Sequence, residues 1–299
     1  MKYSFIDVPS CNMCGDKTIN SKVLGKRLNQ SQGRNPRGKH GITTTVIKCN
    51  SCGLIYADPL PIPFDIQSHY GVPPESYWKE EYFHINPNYF VGQIEVLQRM
   101  KPFEKGQKAL DIGAGVGKGM IVLDKFGYDV YGMEASKSFY DKAINTMKIS
   151  KDKLICATIE EADYPDNYFD FITFSSVLEH FYDPNDCLKR ALMWLKKDGV
   201  IHIEVPSSDW LMSKLFNFYY KIIGTDYVTN ISPMHSPYHL YEFTKDSFDK
   251  NGLNNNYIVE EKYYYPCDTY MPKFIDKLLK WYMGRTNKGM QLAVWLRKT

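Results

Sequence analysis

The sequence predicts an α/β protein, a doubly wound and mainly parallel sheet with a small metal-held segment ahead of it. Two observations carry this reading. From residue 107 onward, strand-like apolar runs alternate with helical patterns, beginning with a strand, a glycine-rich turn and a helix across 108–126, and such alternation builds parallel sheets. Ahead of that region stand two Cys-x-x-Cys pairs, Cys11-Asn-Met-Cys14-Gly and Cys49-Asn-Ser-Cys52-Gly.

Composition sets the outer bounds. The 299 residues are 43% hydrophobic and 24% charged, an ordinary globular balance that excludes disorder and collagen-like repeats. No run of about 18 uncharged apolar residues is present, and the start, MKYSFIDVPSC, lacks the layout of a signal peptide. The expectation is a soluble, cytoplasmic protein without a membrane span. A net charge of +3 excludes a global basic field of the kind nucleic-acid binders carry. Locally, eight Lys/Arg stand against one acid, Asp16, between Cys14 and Cys49, which leaves the remainder of the chain acidic.

In the cysteine pairs, two intervening residues let one tight turn present both sulfurs to one ion, and the following glycine lets the backbone curl around it. The pattern resembles a zinc ribbon with Cys11, Cys14, Cys49 and Cys52 as structural Zn²⁺ ligands. Four thiolates on one zinc carry net negative charge, which the basic stretch between the pairs offsets. Such a closed site has no open coordination position, so it holds a domain together and activates no water.

The next element is the strand Lys108-Ala-Leu-Asp-Ile112, which runs into Gly113-Ala-Gly115-Val-Gly117-Lys-Gly119. The dinucleotide fingerprint fails because Lys118 stands at its third glycine. The phosphate-binding loop fails at both ends, at Ile112 and at Gly119. What remains is Asp111-Ile-Gly113-Ala-Gly115-Val-Gly117. A second strand, Asp129-Val-Tyr-Gly-Met-Glu134, places an acid about 20 residues past the loop, where doubly wound folds bind ribose hydroxyls.

Together these segments resemble class I S-adenosylmethionine-dependent methyltransferases. The first motif, the acid after the second strand, and the segment Leu178-Glu179-His180-Phe-Tyr-Asp183-Pro184 keep that family's register over roughly 105–265. The resemblance implies a Rossmann-like seven-stranded sheet with its last strand antiparallel. It implies contacts to S-adenosylmethionine from Asp111, Gly113, Ala114, Gly115, Gly117, Glu134, Ala135, Thr158, Ile159 and Ser175. Thr158 departs from the pattern, since many members carry an Asp there. The remaining strands are expected over 153–158, 169–175 and 200–205, with a helix over 274–282 and a final strand over 291–296.

Methyl transfer from a sulfonium needs alignment and, for a hydroxyl or carbon acid, a base. His180 follows the fourth strand and is either that base or a helix-start residue that packs or caps. The long stretch 207–243 reads as an aromatic-rich lid, and its end, Met234-His235-Ser-Pro-Tyr238-His239-Leu-Tyr241-Glu242, resembles glycan-linked members of the family. His239, and after it His235, is a base or fixes the lid. Glu179 and Glu204 are the acid/base candidates. A Glu-His pair like Glu179-His180 binds a divalent metal in some ubiquinone-pathway relatives, but Ser176 stands where their further acid is found, which weighs against a metal here.

A Cys₄ segment ahead of this core resembles bacterial sugar methyltransferases. The expected activity is methylation of a sugar hydroxyl, on a nucleotide-linked sugar or a surface glycan. The alternatives are C-methylation of a nucleotide-linked keto-sugar, or a nucleic-acid methyltransferase with a zinc-dependent binding module. The expected partner is a small molecule or glycan, with nucleic acid disfavoured. The expected parts are a ribbon over 1–60, a helical connector over 61–104 and a catalytic domain over 105–299.

Overall fold

The computed structural model describes residues 3–30, 41–65, 78–269 and 271–299. Arg34, Arg37, Lys39, Tyr70, Tyr77 and Tyr270 lie outside the described residues. Five strands come first: β1 (Tyr3–Ile6), β2 (Lys22–Leu28), β3 (Thr43–Lys48), β4 (Ile55–Asp58) and β5 (Leu60–Pro63). Helices α1 (Glu80–Phe83) and α2 (Val91–Met100) lead into β6 (Lys108–Ile112), α3 (Lys118–Lys125), β7 (Asp129–Met133), α4 (Lys137–Asn145), β8 (Leu154–Ile155) and β9 (Phe169–Ser175). Next come α5 (Pro184–Trp194), β10 (Leu195–Pro206), α6 (Leu211–Ile222) and β11 (Tyr241–Glu242). The chain closes with α7 (Lys245–Asn255), β12 (Tyr257–Tyr265), α8 (Lys273–Thr286) and β13 (Gln291–Lys298).

The main sheet is mixed and has seven strands in the order β12-β13-β10-β9-β6-β7-β8. β6 runs parallel to both β7 and β9, with Leu110 opposite Tyr131 and Ile172. The strand order reverses between β6 and β9, and open parallel sheets bind ligands beyond the carboxyl ends of such strands. The predicted fold class is therefore the observed one. The helix expected over 274–282 runs Lys273–Thr286 and the last strand, expected over 291–296, runs Gln291–Lys298. The strand expected over 153–158 pairs only at Leu154–Ile155, and β10 begins at Leu195, directly after α5, rather than at Val200.

The chain forms two compact units. One comprises Pro63–Val177, Asp186–Ile203 and Trp295–Thr299. Its core is the apolar run of β6 and β9, where Ala109, Leu110, Phe171, Ile172 and Phe174 are fully buried, the pattern of strands covered on both faces. Asp111, Asp170 and Thr173 are buried polar residues of these two strands, and Asp170 is the one held by several cations. Burial works against its charge, but Lys196 at 2.8 Å, the Lys108 N–H at 2.9 Å and Lys101 at 3.4 Å outweigh that cost. The balance holds its carboxyl below the ordinary value.

The other unit comprises Met1–Ile62, Leu178–Asn185 and Glu204–Val294. Its four-stranded sheet has the order β11-β4-β3-β2. The cysteine-bearing segment thus shares a sheet with β11, and Tyr241 pairs with Tyr56 and Glu242 with Ile55.

Asp170→Asn keeps the shape but removes the charge that three donors share, so it should cost roughly 1–3 kcal/mol of stability at neutral pH. A depressed carboxylate stabilises above its unfolded pKa and loses that contribution as pH falls through the folded one. Urea titrations should therefore show the gap between wild type and variant closing below about pH 4. A gap constant with pH would contradict this account.

Candidate active site

The first group of candidates is set by β6 and β7. After Ile112 the chain turns through Gly113, Gly115 and Gly117 at φ of 71°, 56° and 82°, a region glycine enters without Cβ strain. The N–H groups of Gly113 and Ala114 both donate to the Met133 carbonyl at 2.9 Å, tying the turn to the end of β7. A Cβ on Gly113 would lie 2.4 Å from Val177, and one on Gly117 would lie 2.7 Å from Ile149. A Cβ on Gly115 would meet nothing within 4 Å. Gly113 and Gly117 thus serve packing, while Gly115 presents bare backbone that a ligand can approach.

Glu134 accepts the Gly115 N–H at 2.8 Å through Oε2 and the Ser136 N–H at 2.7 Å through Oε1. It therefore holds the loop in shape, a role beyond the ribose contact expected of it. Burial raises its pKa, opposed by those two N–H donors. Asp111 is 4% exposed, and burial followed by the charge of Glu134 pushes it up to about 7. A buried acid that feels a second carboxyl favours a cationic ligand, and the residues fit the cofactor that the motif implies.

Ile159 is buried, Ala135 is half-buried, and the Thr158 N–H donates to Glu161 Oε2 at 3.0 Å. Ser175 closes β9 with its hydroxyl 3.3 Å from Thr173 Oγ1, which is 2.9 Å from His202 Nδ1. Burial depresses His202 to about 3, so this histidine is neutral and anchors the strand pair. Beyond β9, Ser176 adopts φ of 54°, a left-handed conformation costing of order 1–3 kcal/mol for such a residue.

The second group lies in the other unit. Leu178–His180 forms a short 3₁₀ turn, and the Leu240 N–H donates to the Glu179 carbonyl at 2.8 Å. Ser232 clamps His239 from its other side: the Ser232 N–H donates to the His239 carbonyl at 2.8 Å, and the Ser232 hydroxyl accepts the His239 N–H at 3.2 Å. As a result His239 Nε2 stands 3.8 Å from Glu179 Oε1, and the His180 and His239 rings lie 5.1 Å apart. A ligating atom from each of Glu179, His180 and His239 falls within 4.8 Å of the others, close enough for the three to share one ion.

The electrostatics of this cluster are lopsided. Glu179 is 1% exposed, and burial, with Glu204 adding repulsion, pushes it up to about 8. Its Oε2 has no hydrogen-bond partner among the described residues. Burial, then the neighbouring His180, lowers His239 to about 3, which keeps its imidazole neutral. His180 Nδ1 lies 3.1 Å from the Tyr238 carbonyl; a carbonyl only accepts, so Nδ1 carries the hydrogen.

His235 is placed differently. Its Nε2 is 3.0 Å from Arg27 Nη2, and its Nδ1 is 2.9 Å from the Ser236 carbonyl. Guanidinium only donates, so Nε2 spends its lone pair on Arg27 and Nδ1 spends its hydrogen on Ser236. That leaves His235 as a support. Arg27 itself is buried and bonds to the Tyr227 hydroxyl and, at 3.0 Å, to the Val228 carbonyl. Its charge therefore serves the 227–235 segment rather than a metal, which revises the electrostatic role expected of that basic residue. Glu242, also buried, accepts from Asn230 at 2.6 Å and from the Ile231 N–H at 2.8 Å. Neither Arg27 nor Glu242 announces these roles by spacing, because each partner lies far along the chain or across a turn.

The cysteines converge in this same unit. Sγ of Cys11 is 3.5 Å from that of Cys52, and Sγ of Cys14 is 3.6 Å from that of Cys49. These distances are far beyond a disulfide and near the roughly 3.8 Å edge of a tetrahedral site with 2.3 Å metal–sulfur bonds. Both pairs make one turn: Gly15 N–H donates to the Cys11 carbonyl and Gly53 N–H to that of Cys49, at 2.8 and 2.9 Å. Hydrogen bonding from Cys52 draws Cys11 down to about 6, while burial pushes Cys14 up to about 11. A cation is thus needed for all four sulfurs to ionise together.

Comparison with known proteins places the chain. Residues 85–262 match the model of a methyltransferase-domain family. The chain is 29% identical over 163 residues to a ubiquinone biosynthesis O-methyltransferase of Bradyrhizobium diazoefficiens, covering 52% of this chain and 60% of that one. It is 29% identical over 123 residues to phosphoethanolamine N-methyltransferase 2 of Caenorhabditis elegans, covering 40% and 28%. It spans less than two thirds of the length of either curated relative. The fold is shared with the plantazolicin methyltransferase BpumL, solved with a pentazolic desmethylPZN analog and SAH, at a TM-score of 0.50, 16% identity, and coverage of 78% of this chain and 94% of that one.

The two kinds of glycine should separate experimentally. Gly113→Ala drives a methyl into Val177 and should lower stability by roughly 2 kcal/mol or more. Gly115→Ala should cost about 1 kcal/mol of backbone strain yet weaken S-adenosylmethionine binding at least tenfold. Thermal unfolding and titration calorimetry on both variants would check this, and equal effects on both readouts would refute it.

Proposed function

The chain belongs to the methyltransferase-domain family, and we propose that it transfers a methyl group from S-adenosylmethionine to a sugar hydroxyl. The observation that carries the first half is the Asp111–Gly117 turn with Glu134 tied to Gly115. When bound, the cofactor supplies an electrophilic methyl group on a cationic sulfonium. Asp111 and Glu134 are assigned to its charged and ribose portions, and Gly113, Ala114, Gly115 and Gly117 to backbone approach. Thr158 and Ile159 are assigned to the adenine, and Ala135 and Ser175 to further contacts with the cofactor.

For the acceptor, His239 is assigned as the general base. Its neutral imidazole takes the hydroxyl proton, and Glu179, 3.8 Å from Nε2, offsets the imidazolium charge in its ionised form. His180 orients the acceptor, and Glu204 tunes Glu179 by charge. The sugar assignment is supported by the resemblance of the Cys₄ segment and of the 234–242 stretch to glycan-linked methyltransferases. Cys11, Cys14, Cys49 and Cys52 hold a structural zinc ion, a reading supported by their sulfur spacing.

The test is transfer of labelled methyl from S-adenosylmethionine to a panel of nucleotide-sugars and glycans, with the product bond located by mass spectrometry. Methylation on oxygen is expected; a product methylated on carbon, or on nucleic acid alone, would overturn the acceptor assignment. His239→Gln should lower kcat by about 10²–10⁴ while leaving S-adenosylmethionine binding within about twofold, and an unchanged kcat would remove His239 as base. Metal analysis should find one zinc per chain, lost in Cys49→Ser together with several degrees of thermal stability.

A further inference from the structure

Two helices of the 204–294 segment turn apolar faces outward. In α8, Ile275, Leu279 and Met283 face the interior, with Met283 fully buried. Phe274, Leu278, Trp281 and Tyr282 are 40–76% exposed. At 100° per residue these four span about 100° of the helix, beside the inward face rather than within it. In α6, Met212, Ser213 and Tyr220 are buried, whereas Leu215, Phe218, Tyr219 and Ile222 are 47–67% exposed, again within about 100° of arc. The Leu211 N–H donates to the Lys288 carbonyl at 3.2 Å, so the start of α6 is joined to the chain just beyond α8.

Solvent-facing helix surfaces are ordinarily polar, and two such stripes in one unit exceed scattered exposure. Basic residues border both. Lys273 and Lys277 flank the α8 stripe, Arg285 extends it with its guanidinium 5.0 Å over Trp281, and Lys214 and Lys221 flank the α6 stripe. Lys221, Lys273, Lys277 and Arg285 have no acidic partner among the described residues. Helix α6 contains no acid. The single acid of α8, Asp276, accepts from Thr269 at 2.8 Å and pairs with Lys280, off the exposed stripe.

From this we infer that α6 and α8 form a docking surface for an anionic lipid bilayer. The chemistry is complementary on both counts. Aromatic and aliphatic side chains enter the headgroup boundary, where Trp and Tyr are favoured, while Lys and Arg stay at the anionic surface. At 12 and 14 residues the helices suit lying in the interface, and no described helix is long and apolar enough to cross a membrane. A second copy of the chain fits less well, because a two-fold pairing through this face sets the same lysines against each other. The inference stands apart from methyl transfer, since vesicle binding needs no methyl donor.

Co-sedimentation of the full chain with vesicles of phosphatidylcholine containing phosphatidylglycerol tests it. Binding is expected, weakened by high salt and by pure phosphatidylcholine. The exposed double variants F274D/L278D and K273E/K277E should each lower binding about tenfold or more with unchanged far-ultraviolet circular dichroism. Protein left in the supernatant with anionic vesicles would overturn the inference. So would light scattering that shows a dimer split by F274D/L278D, which would assign the face to a second copy.

Discussion

The backbone pairing of β11 with β4 is the constraint on which the rest of the cysteine-bearing unit depends. Two residue pairs, Tyr241 with Tyr56 and Glu242 with Ile55, lay the end of the 207–243 stretch along the strand that leaves the second cysteine turn. Side chains reinforce the joint. The Thr244 hydroxyl donates to the Cys52 carbonyl at 2.6 Å, that of Ser208 to Gly53 at 2.9 Å, and Asn251 to Met13 at 2.9 Å. Asn12 reaches both the Tyr182 carbonyl and the Tyr241 hydroxyl. The cysteine turns are therefore anchored on the residues that flank His239 and Glu179. The cysteine-bearing segment, which in sequence reads as a separate module, is in packing the support of the candidate base.

The two units share an electrostatic habit. Each buries carboxyls without a full set of cationic partners: Asp111 beside Glu134 in one, and Glu179 near Glu204 in the other. Burial disfavours the charged form, and a neighbouring acid adds to the cost. Structural acids in this protein are treated differently, as Asp170 shows with its three donors. Acids left under-compensated mark places where a ligand's charge or a transferred proton completes the balance. Backbone strain points the same way, since Ser176 and Tyr238 take left-handed conformations directly before the two candidate segments.

The cofactor side was legible in the sequence because its chemistry is local. Asp111, three alternating glycines and an acid at the end of the next strand lie within 24 residues, and the turn can be read before any tertiary contact is known. The four cysteines were legible for a similar reason, since each pair is one turn. The acceptor cluster was legible only as a set of residue types. Nothing in the spacing of Glu179 and His239 says that they meet, or that His235, four residues earlier, is tied up by Arg27.

The sequence by itself thus determined the fold class, the glycine turn after β6 and the two cysteine turns, because periodicity and short-range spacing encode strands, helices and tight turns. The tertiary structure decided which histidine keeps a usable nitrogen, that Glu179 Oε2 is buried with no hydrogen-bond partner among the described residues, and that α6 and α8 show apolar faces to solvent. Those properties are set by burial and by hydrogen bonds between residues up to about two hundred positions apart, and no local pattern specifies them.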